Sequence, residues 1–289
     1  MLQVARLAPK QLREASDRVV AFVLSQFNTD GGVRGRSPDS DLYYTVFGIE
    51  ALDALSADLP RSSTKAYLEQ FGDGDGLDLV HLACLMRAHA ALSRGTGRDA
   101  TAVTDPMVSR IESFRADDGG YAATAGAARG TVYHAFLALG AYQDACRPMP
   151  APEEMLQACA RLATPDGGYA NDPGLLLGTT PTTAAMATLL RHLDRSTPAS
   201  LGEWLRAQAA DGGGFLAMPD APLPDLLSTA TALHALAGLQ VDLGDLREDC
   251  LDFVDTLWNG NGFCGHWADD VVDVEYTYYA LLALGHLGL

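Results

Sequence analysis

Apolar positions in this chain come in blocks. Six stretches, 43–55, 79–92, 131–142, 182–193, 228–239 and 276–287, are apolar on nearly every side, and a helix of that kind must be buried on both faces. A Gly-rich turn precedes each block: Asp30-Gly31-Gly32, then 72–76, Asp118-Gly119-Gly120, Asp166-Gly167-Gly168, Asp211-Gly212-Gly213 and Gly260-Asn261-Gly262. Before the turns lie amphipathic stretches such as 19–27 and 201–208, the latter holding Trp204; their spacing predicts ordinary helices with one apolar face. The units recur about every 45 residues, the signature of a repeat architecture. Six pairs of an amphipathic outer helix and a buried inner helix, joined by glycines free to take positive φ, predict two concentric rings. The expected fold is therefore all-α, an (α/α)6 toroid spanning 1–289 as a single domain. Apolar and polar residues never alternate for more than a few positions, so no strand is expected. The Pro-containing stretches 149–152 and 219–224 read as inter-helix loops.

Composition narrows the function. With 37 acidic residues against 20 Lys and Arg, the formal charge is −17, a field that repels phosphate backbones and anionic lipid surfaces. Nucleic-acid binding is not expected. No apolar run approaches a membrane span, and residues 1–10 lack a signal core, so a cytoplasmic location is expected. The five cysteines, Cys84, Cys146, Cys159, Cys250 and Cys264, form no CxxC pair; the first four fall in apolar helical patterns and read as small buried hydrophobes.

In such a ring the loops after the turns lead to inner-helix N-termini, so their side chains converge on one mouth of a central cavity. Helix N-termini carry partial positive charge and suit an anionic group. Arg34, Arg36 and Arg129 are loop cations that read either as diphosphate contacts adding to it or as simply exposed at the surface, and Asp41 starts the first inner helix. The aromatic residues Tyr43, Tyr44, Phe47, Tyr133, Phe136, Tyr276, Tyr278 and Tyr279 crowd the inner helices, as core packing or as walls for a hydrophobic ligand or a cation. His81, His134 and His234 read as satisfied core histidines.

Two carboxylates stand out. Asp273 and Glu275 lie two residues apart at the start of the last inner helix. They read either as caps or as an acid pair in which Glu275 is the general acid and Asp273 orients it, the two sharing a proton. Tyr276, Tyr44 and Trp267 would then supply the apolar surroundings that keep an acid neutral. A second cluster, Cys264 and His266 with Asp225, Asp269 and Asp270, offers ligands for zinc, or the carboxylates for magnesium, against the alternative of solvent-facing loop residues.

The segment Asp30-Gly31-Gly32-Val33-Arg34-Gly35-Arg36-Ser37-Pro38, followed by Asp41-Leu42-Tyr43-Tyr44-Thr45-Val46-Phe47-Gly48-Ile49, resembles the repeat of geranylgeranyltransferase β subunits. Gly262-Phe263 and Val272 through Thr277 resemble the terminal repeat of that family. The chain as a whole is thus similar to the superfamily of prenyltransferase β subunits and squalene-hopene-type terpenoid cyclases. The resemblance implies an isoprenoid or other hydrophobic small-molecule substrate, and a helical partner subunit or self-association. The zinc ligands of the protein-prenylating branch fall on Asp225, Leu227 and Tyr276, so no tight zinc is expected in that place. Its diphosphate-binding cations fall on or near Met218 and Ala221. The D-x-D-D-T-A motif of class II cyclases resembles Asp273-Val274-Glu275-Tyr276-Thr277-Tyr278, with Glu275 where the acid would stand. The resemblance implies an isoprenoid-acting enzyme, by acid-initiated cyclisation or by prenyl transfer; a non-catalytic toroid that binds a hydrophobic ligand or a helical partner is the alternative. A carbohydrate-active (α/α)6 barrel would need two opposed carboxylates.

Overall fold

The computed structural model describes residues 1–94 and 103–289. Its helices are α1 (Leu2–Ala5), α2 (Pro9–Leu12), α3 (Ser16–Ser25), α4 (Leu42–Ala54), α5 (Arg61–Glu69), α6 (Leu79–Ser93) and α7 (Asp105–Ser113). They continue with α8 (Val132–Asp144), α9 (Pro152–Ala160), α10 (Thr180–His192), α11 (Ala199–Arg206), α12 (Leu226–Gly238), α13 (Arg247–Thr256) and α14 (Val274–Leu287). The six apolar blocks form α4, α6, α8, α10, α12 and α14. Each packs on the next, and α14 packs back on α4, which closes the ring. The amphipathic helices α3, α5, α7, α9, α11 and α13 form the outer layer, and the all-α toroid expected from the repeat is the fold observed.

The turns show why glycine recurs. Gly31, Gly119 and Gly167 have φ of +93°, +89° and +93°, a region that costs a side-chain-bearing residue about 1–2 kcal/mol. The preceding aspartate closes each turn: Gly32, Gly120 and Gly168 donate their N–H to Asp30, Asp118 and Asp166 Oδ1 at 3.0, 3.0 and 3.2 Å. These turns also dock against the next outer helix. A Cβ on Gly31 would lie 2.2 Å from the Ser63 carbonyl in α5, and one on Gly213 would lie 1.9 Å from Asp249 O in α13. In the fifth unit the frame slips by one residue, with Gly213 and Gly214 at positive φ.

A threonine one turn into four inner helices ties turn to helix. Thr45, Thr183, Thr229 and Thr277 Oγ1 accept the N–H of Val33, Tyr169, Phe215 and Phe263 at 2.9, 2.9, 2.9 and 3.3 Å.

The expectation of no strands is corrected by two short antiparallel ladders. The pair β1 (Val33–Arg34) and β2 (Ser40–Asp41) forms one; β3 (Phe215–Leu216) and β4 (Pro224–Asp225) forms the other. At two residues per strand they are too short to imprint an alternating pattern. A second correction concerns Cys146, which is exposed beyond the end of α8, whereas Cys84, Cys159, Cys250 and Cys264 are buried. The N-terminal segment crosses the end of the ring where the inner helices finish: α1 packs on α4 and α14, so closely that a Cβ on Gly285 would sit 2.1 Å from Val4 O. Among the described residues no helix is long and apolar enough to cross a membrane.

Candidate functional site

All six inner helices contribute to one cavity of about 520 Å³, a size typical of small-molecule sites. Its walls include Tyr43, Phe47, Tyr133, Phe136, Tyr278 and Tyr279. Phe47 is the hub, with ring centroids 5.0 Å from Tyr43, 5.7 Å from Tyr278 and 5.5 Å from Tyr279, spacings at which aromatic pairs attract. At the rim, Tyr43 Oη donates to Glu275 Oε1 at 2.6 Å. Burial raises the Glu275 pKa above the usual carboxylate value; the Tyr43 hydrogen bond opposes this, and the negative charge of Asp273 adds to it. The result is a carboxyl biased toward its neutral form beside an aromatic wall.

Asp273 does other work. Its Oδ1 caps α14 by accepting the Tyr276 N–H at 2.9 Å, and its Oδ2 accepts from Arg36 Nε at 3.0 Å. Arg36 also bonds Asp269, at 2.5 Å, and its guanidinium carbon lies 5.6 Å from the Tyr276 ring centroid. No hydrogen bond joins Asp273 to Glu275, so the expected shared proton is corrected: both Asp273 oxygens are occupied, and the group that orients Glu275 is Tyr43. Tyr276 stands at the rim with its ring over Gly265, and burial lifts its pKa to about 12.

Several expected site residues are elsewhere. Trp267 is half exposed, donates Nε1–H to Thr256 Oγ1 at 2.8 Å and stacks edge-on against Phe253, on the outer layer. Arg34 ties β1 to the end of α3 through Gln26 Oε1 at 3.3 Å and Ser25 O at 3.2 Å. Tyr44 covers Gly35 instead of lining the cavity. Arg129 faces a separate surface groove with Arg161. Asp41 caps α4, accepting the Tyr43 N–H at 2.6 Å. More generally, Asp41, Asp78, Asp225 and Asp273 cap four of the six inner helices, so the positive helix ends expected to receive an external anion already face the protein's own carboxylates.

The candidate metal ligands do not converge either. Asp225 accepts from Ser228 N and Oγ, both at 2.7 Å; Cys264 is buried; His266 Nδ1 accepts from Ala268 N at 3.2 Å. Among the described residues no three His, Cys, Asp or Glu side chains stand together as a metal site.

What the sequence reading missed is the opposite end of the cavity. There Arg87 Nε donates to Asp144 Oδ2 at 2.6 Å, and Arg94 bonds Glu50 at 2.6 Å and Asp53 at 3.1 Å. His234 is buried, as a core histidine should be, but its partner is another histidine: His234 Nδ1 and His286 Nε2 are 3.0 Å apart. Burial lowers their pKa values to about 2 and about 4, so both rings are neutral. The available signal was an ionisable residue in a largely apolar block, as Glu50, Arg87 and His234 each are.

Residues 176–288 match the family model described as the prenyltransferase alpha-alpha toroid domain. A type II terpene cyclase, MstE from Scytonema, solved with geranylgeranyl dihydroxybenzoate, is similar over 97% of both chains, with a TM-score of 0.64 and 12% identity. An α-1,6-mannanase from Salegentibacter is similar over 94% of this chain and 98% of its own, with a TM-score of 0.63 and 13% identity. A protein from Actinoplanes is similar over 95% and 98%, with a TM-score of 0.66 and 16% identity. Among curated proteins, none matches in sequence. The resemblance to the prenyltransferase and terpenoid-cyclase toroids is borne out by the family model over residues 176–288 and, for the chain as a whole, as a shared fold, one that a glycosidase also uses.

Proposed function

On the premise that this chain carries the prenyltransferase alpha-alpha toroid fold, we propose that it is an isoprenoid-acting enzyme in which Glu275 starts a cyclisation by protonating an alkene. The observation that carries this reading is a single arrangement: a carboxyl raised in pKa by burial and hydrogen-bonded to Tyr43, whose side chain lines an aromatic cavity. Burial biases the acid toward its protonated form. In the step itself the Glu275 O–H bond breaks and its proton goes to one alkene carbon. The π electron pair forms the new C–H bond, and the other carbon becomes a cation. Tyr43, Phe47 and Tyr279 present ring faces that stabilise positive charge in the cavity. A second alkene of the same chain then supplies the pair for the ring-forming C–C bond, and loss of a proton from the product cation restores neutrality.

The aromatic lining favours this over sugar hydrolysis, which needs two carboxylates opposed across a substrate; the carboxylates that line the cavity, Glu50 and Asp144, are paired with Arg94 and Arg87, and Asp273 is held by Arg36 and by the α14 N-terminus. The terpene cyclase among the similar structures is consistent with the reading.

The test is incubation with farnesyl and geranylgeranyl acids, alcohols and diphosphates, followed by mass spectrometry with chromatographic separation of isomers. Cyclisation keeps the substrate mass and changes retention. Glu275→Gln preserves shape and hydrogen bonding but removes the proton, and should lower turnover by on the order of 10²- to 10⁴-fold with ligand binding retained. Binding without conversion of any substrate by the wild type would instead favour a non-catalytic toroid.

A further inference from the structure

We propose that the floor of the cavity, at the C-terminal ends of the inner helices, binds the oxyanion head of the substrate, a carboxylate or a phosphate, on Arg87 and His234. The isoprenoid tail then reaches up to Glu275. This builds on the cyclisation reading and adds the chemistry of the other end of the molecule.

The cavity is long enough for two ends. Its α8 wall runs from Tyr133 to Asp144, about 16 Å at 1.5 Å per residue. The floor is built to donate. Arg87 lines the cavity with 36% of its side chain exposed there. Its Nε is committed to Asp144, but its two terminal amino groups have no hydrogen-bond partner among the described residues. A planar fork of N–H groups fits two oxygens of one carboxylate or phosphate.

His234 lies on α12, three places round the ring from α6 and so on the opposite side of the cavity. It is 6% exposed and lines the cavity. Its Nδ1 faces His286 Nε2, while its own Nε2 has no partner among the described residues. His286 Nδ1 is buried and unpartnered. A bare acceptor there costs less than an orphaned donor, so His286 Nε2–H donates to His234, and His234 turns its Nε2–H to the cavity.

The charge balance agrees. At this end Arg6, Arg87 and Arg94 pair with Asp53, Asp144 and Glu50, and Arg191 adds a positive charge near His234. The guanidinium groups thus at least match the carboxylates here, in a chain of net charge −17. Negative helix C-termini draw cations and account for Arg94, the C-cap of α6, and for Arg191 in the last turn of α10. They do not account for Arg87, which is six residues before the end of α6, because the dipole effect fades within one turn.

The experiment is isothermal titration calorimetry of the whole chain with farnesoic acid, farnesyl monophosphate and methyl farnesoate, which share a tail and differ in the head. We expect at least one of the two anions to bind the wild type on the order of tenfold or more tighter than the neutral ester; the tighter of the two identifies the natural head. Arg87→Met with Asp144→Leu removes the ion pair without leaving a buried orphan charge. It should bind the ester as the wild type does and lose the preference for the anion. If that variant fails to bind ester because it is misfolded, Arg87→Lys keeps the link to Asp144 and loses the fork, and the preference must still fall. Equal affinity for ester and both anions in the wild type, or a preference that survives in these variants, overturns the proposal. Anion-selective binding with no conversion overturns the cyclisation reading and leaves the head site standing. Conversion at equal affinities does the reverse, and binding of none of the three overturns both.

Discussion

Tyr43→Phe and Asp273→Asn should move the pH dependence of turnover in opposite directions. If Glu275 acts as an acid, the protonated form is the active one, so the rate is flat below its folded pKa and falls as pH rises through it. Tyr43 donates to Glu275 Oε1 at 2.6 Å, a bond that favours the carboxylate and holds its pKa down. A hydrogen bond to a charged group is worth about 1.5–3 kcal/mol and one to the neutral acid about 1 kcal/mol; only the difference moves the titration, at about 1.4 kcal/mol per pH unit. Tyr43→Phe should therefore shift the alkaline limb upward by on the order of one pH unit. Asp273 acts with the other sign, since its negative charge raises the Glu275 pKa. Asn is as good a helix cap, so Asp273→Asn keeps α14 started, removes the charge and frees Arg36, and both electrostatic changes pull the limb downward. The assay is kcat against pH for the three proteins on one substrate. Shifts in the same direction, or no shift in either, would show that Glu275 is not the titrating acid.

The turn glycines give a stability test. Gly167→Ala meets nothing nearer than Trp204 Cδ1 at 3.8 Å and costs only its positive φ, about 1 kcal/mol; Gly213→Ala adds a Cβ 1.9 Å from Asp249 O and should cost about 3 kcal/mol or more. Thermal melts showing equal losses would refute the claim that the fifth turn is held by docking on α13. The histidine pair predicts acid sensitivity. Both folded pKa values lie below the unfolded value of about 6.5, at about 2 and about 4, so their contribution is full above about pH 6.5 and is lost as pH falls below it. A His234→Gln, His286→Gln variant should show a flatter denaturation midpoint between pH 7 and pH 4 than the wild type, and an unchanged slope would argue against buried neutral rings.

The ring was legible because its causes are local. A glycine at φ near +90° and an apolar block of helical length are written in adjacent residues, and six repetitions leave one way to bury them. The place of Glu275 in the first turn of a helix was legible for the same reason, because the repeat locates that helix start. Its true partner was not, because Tyr43 and Glu275 are 232 residues apart and meet only when α14 closes on α4. The same closure joins Arg36 to Asp273 and displaces the expected Asp273–Glu275 pairing. The floor was illegible for a further reason. Glu50, Arg87 and His234 sit in largely apolar blocks, where a polar residue reads as a satisfied core group; only the assembled ring shows that they gather at one end of a hollow. The loop residues Arg34 and Trp267 were misplaced because position after a turn does not say which way a side chain points.

The two ends of the cavity differ in a way that bears on the choice between transfer and cyclisation. Prenyl transfer leaves a diphosphate, and the resemblance places that group at the mouth, on cations that here fall on or near Met218 and Ala221. The mouth of this ring is acidic instead: aspartates cap four inner helices, and Arg36 is committed to Asp269 and Asp273. A diphosphate there would be desolvated among like charges, with its helix N-termini already capped. An alkene has no such difficulty beside Glu275, because the cation formed on protonation gains from the surrounding carboxylates and from the aromatic walls. The acidic rim of the ring thus favours starting the reaction with a proton at the mouth over departure of an anion from it. With an anionic head on Arg87, as proposed, an amphipathic substrate would stand tail-up, with its reactive end at the acid.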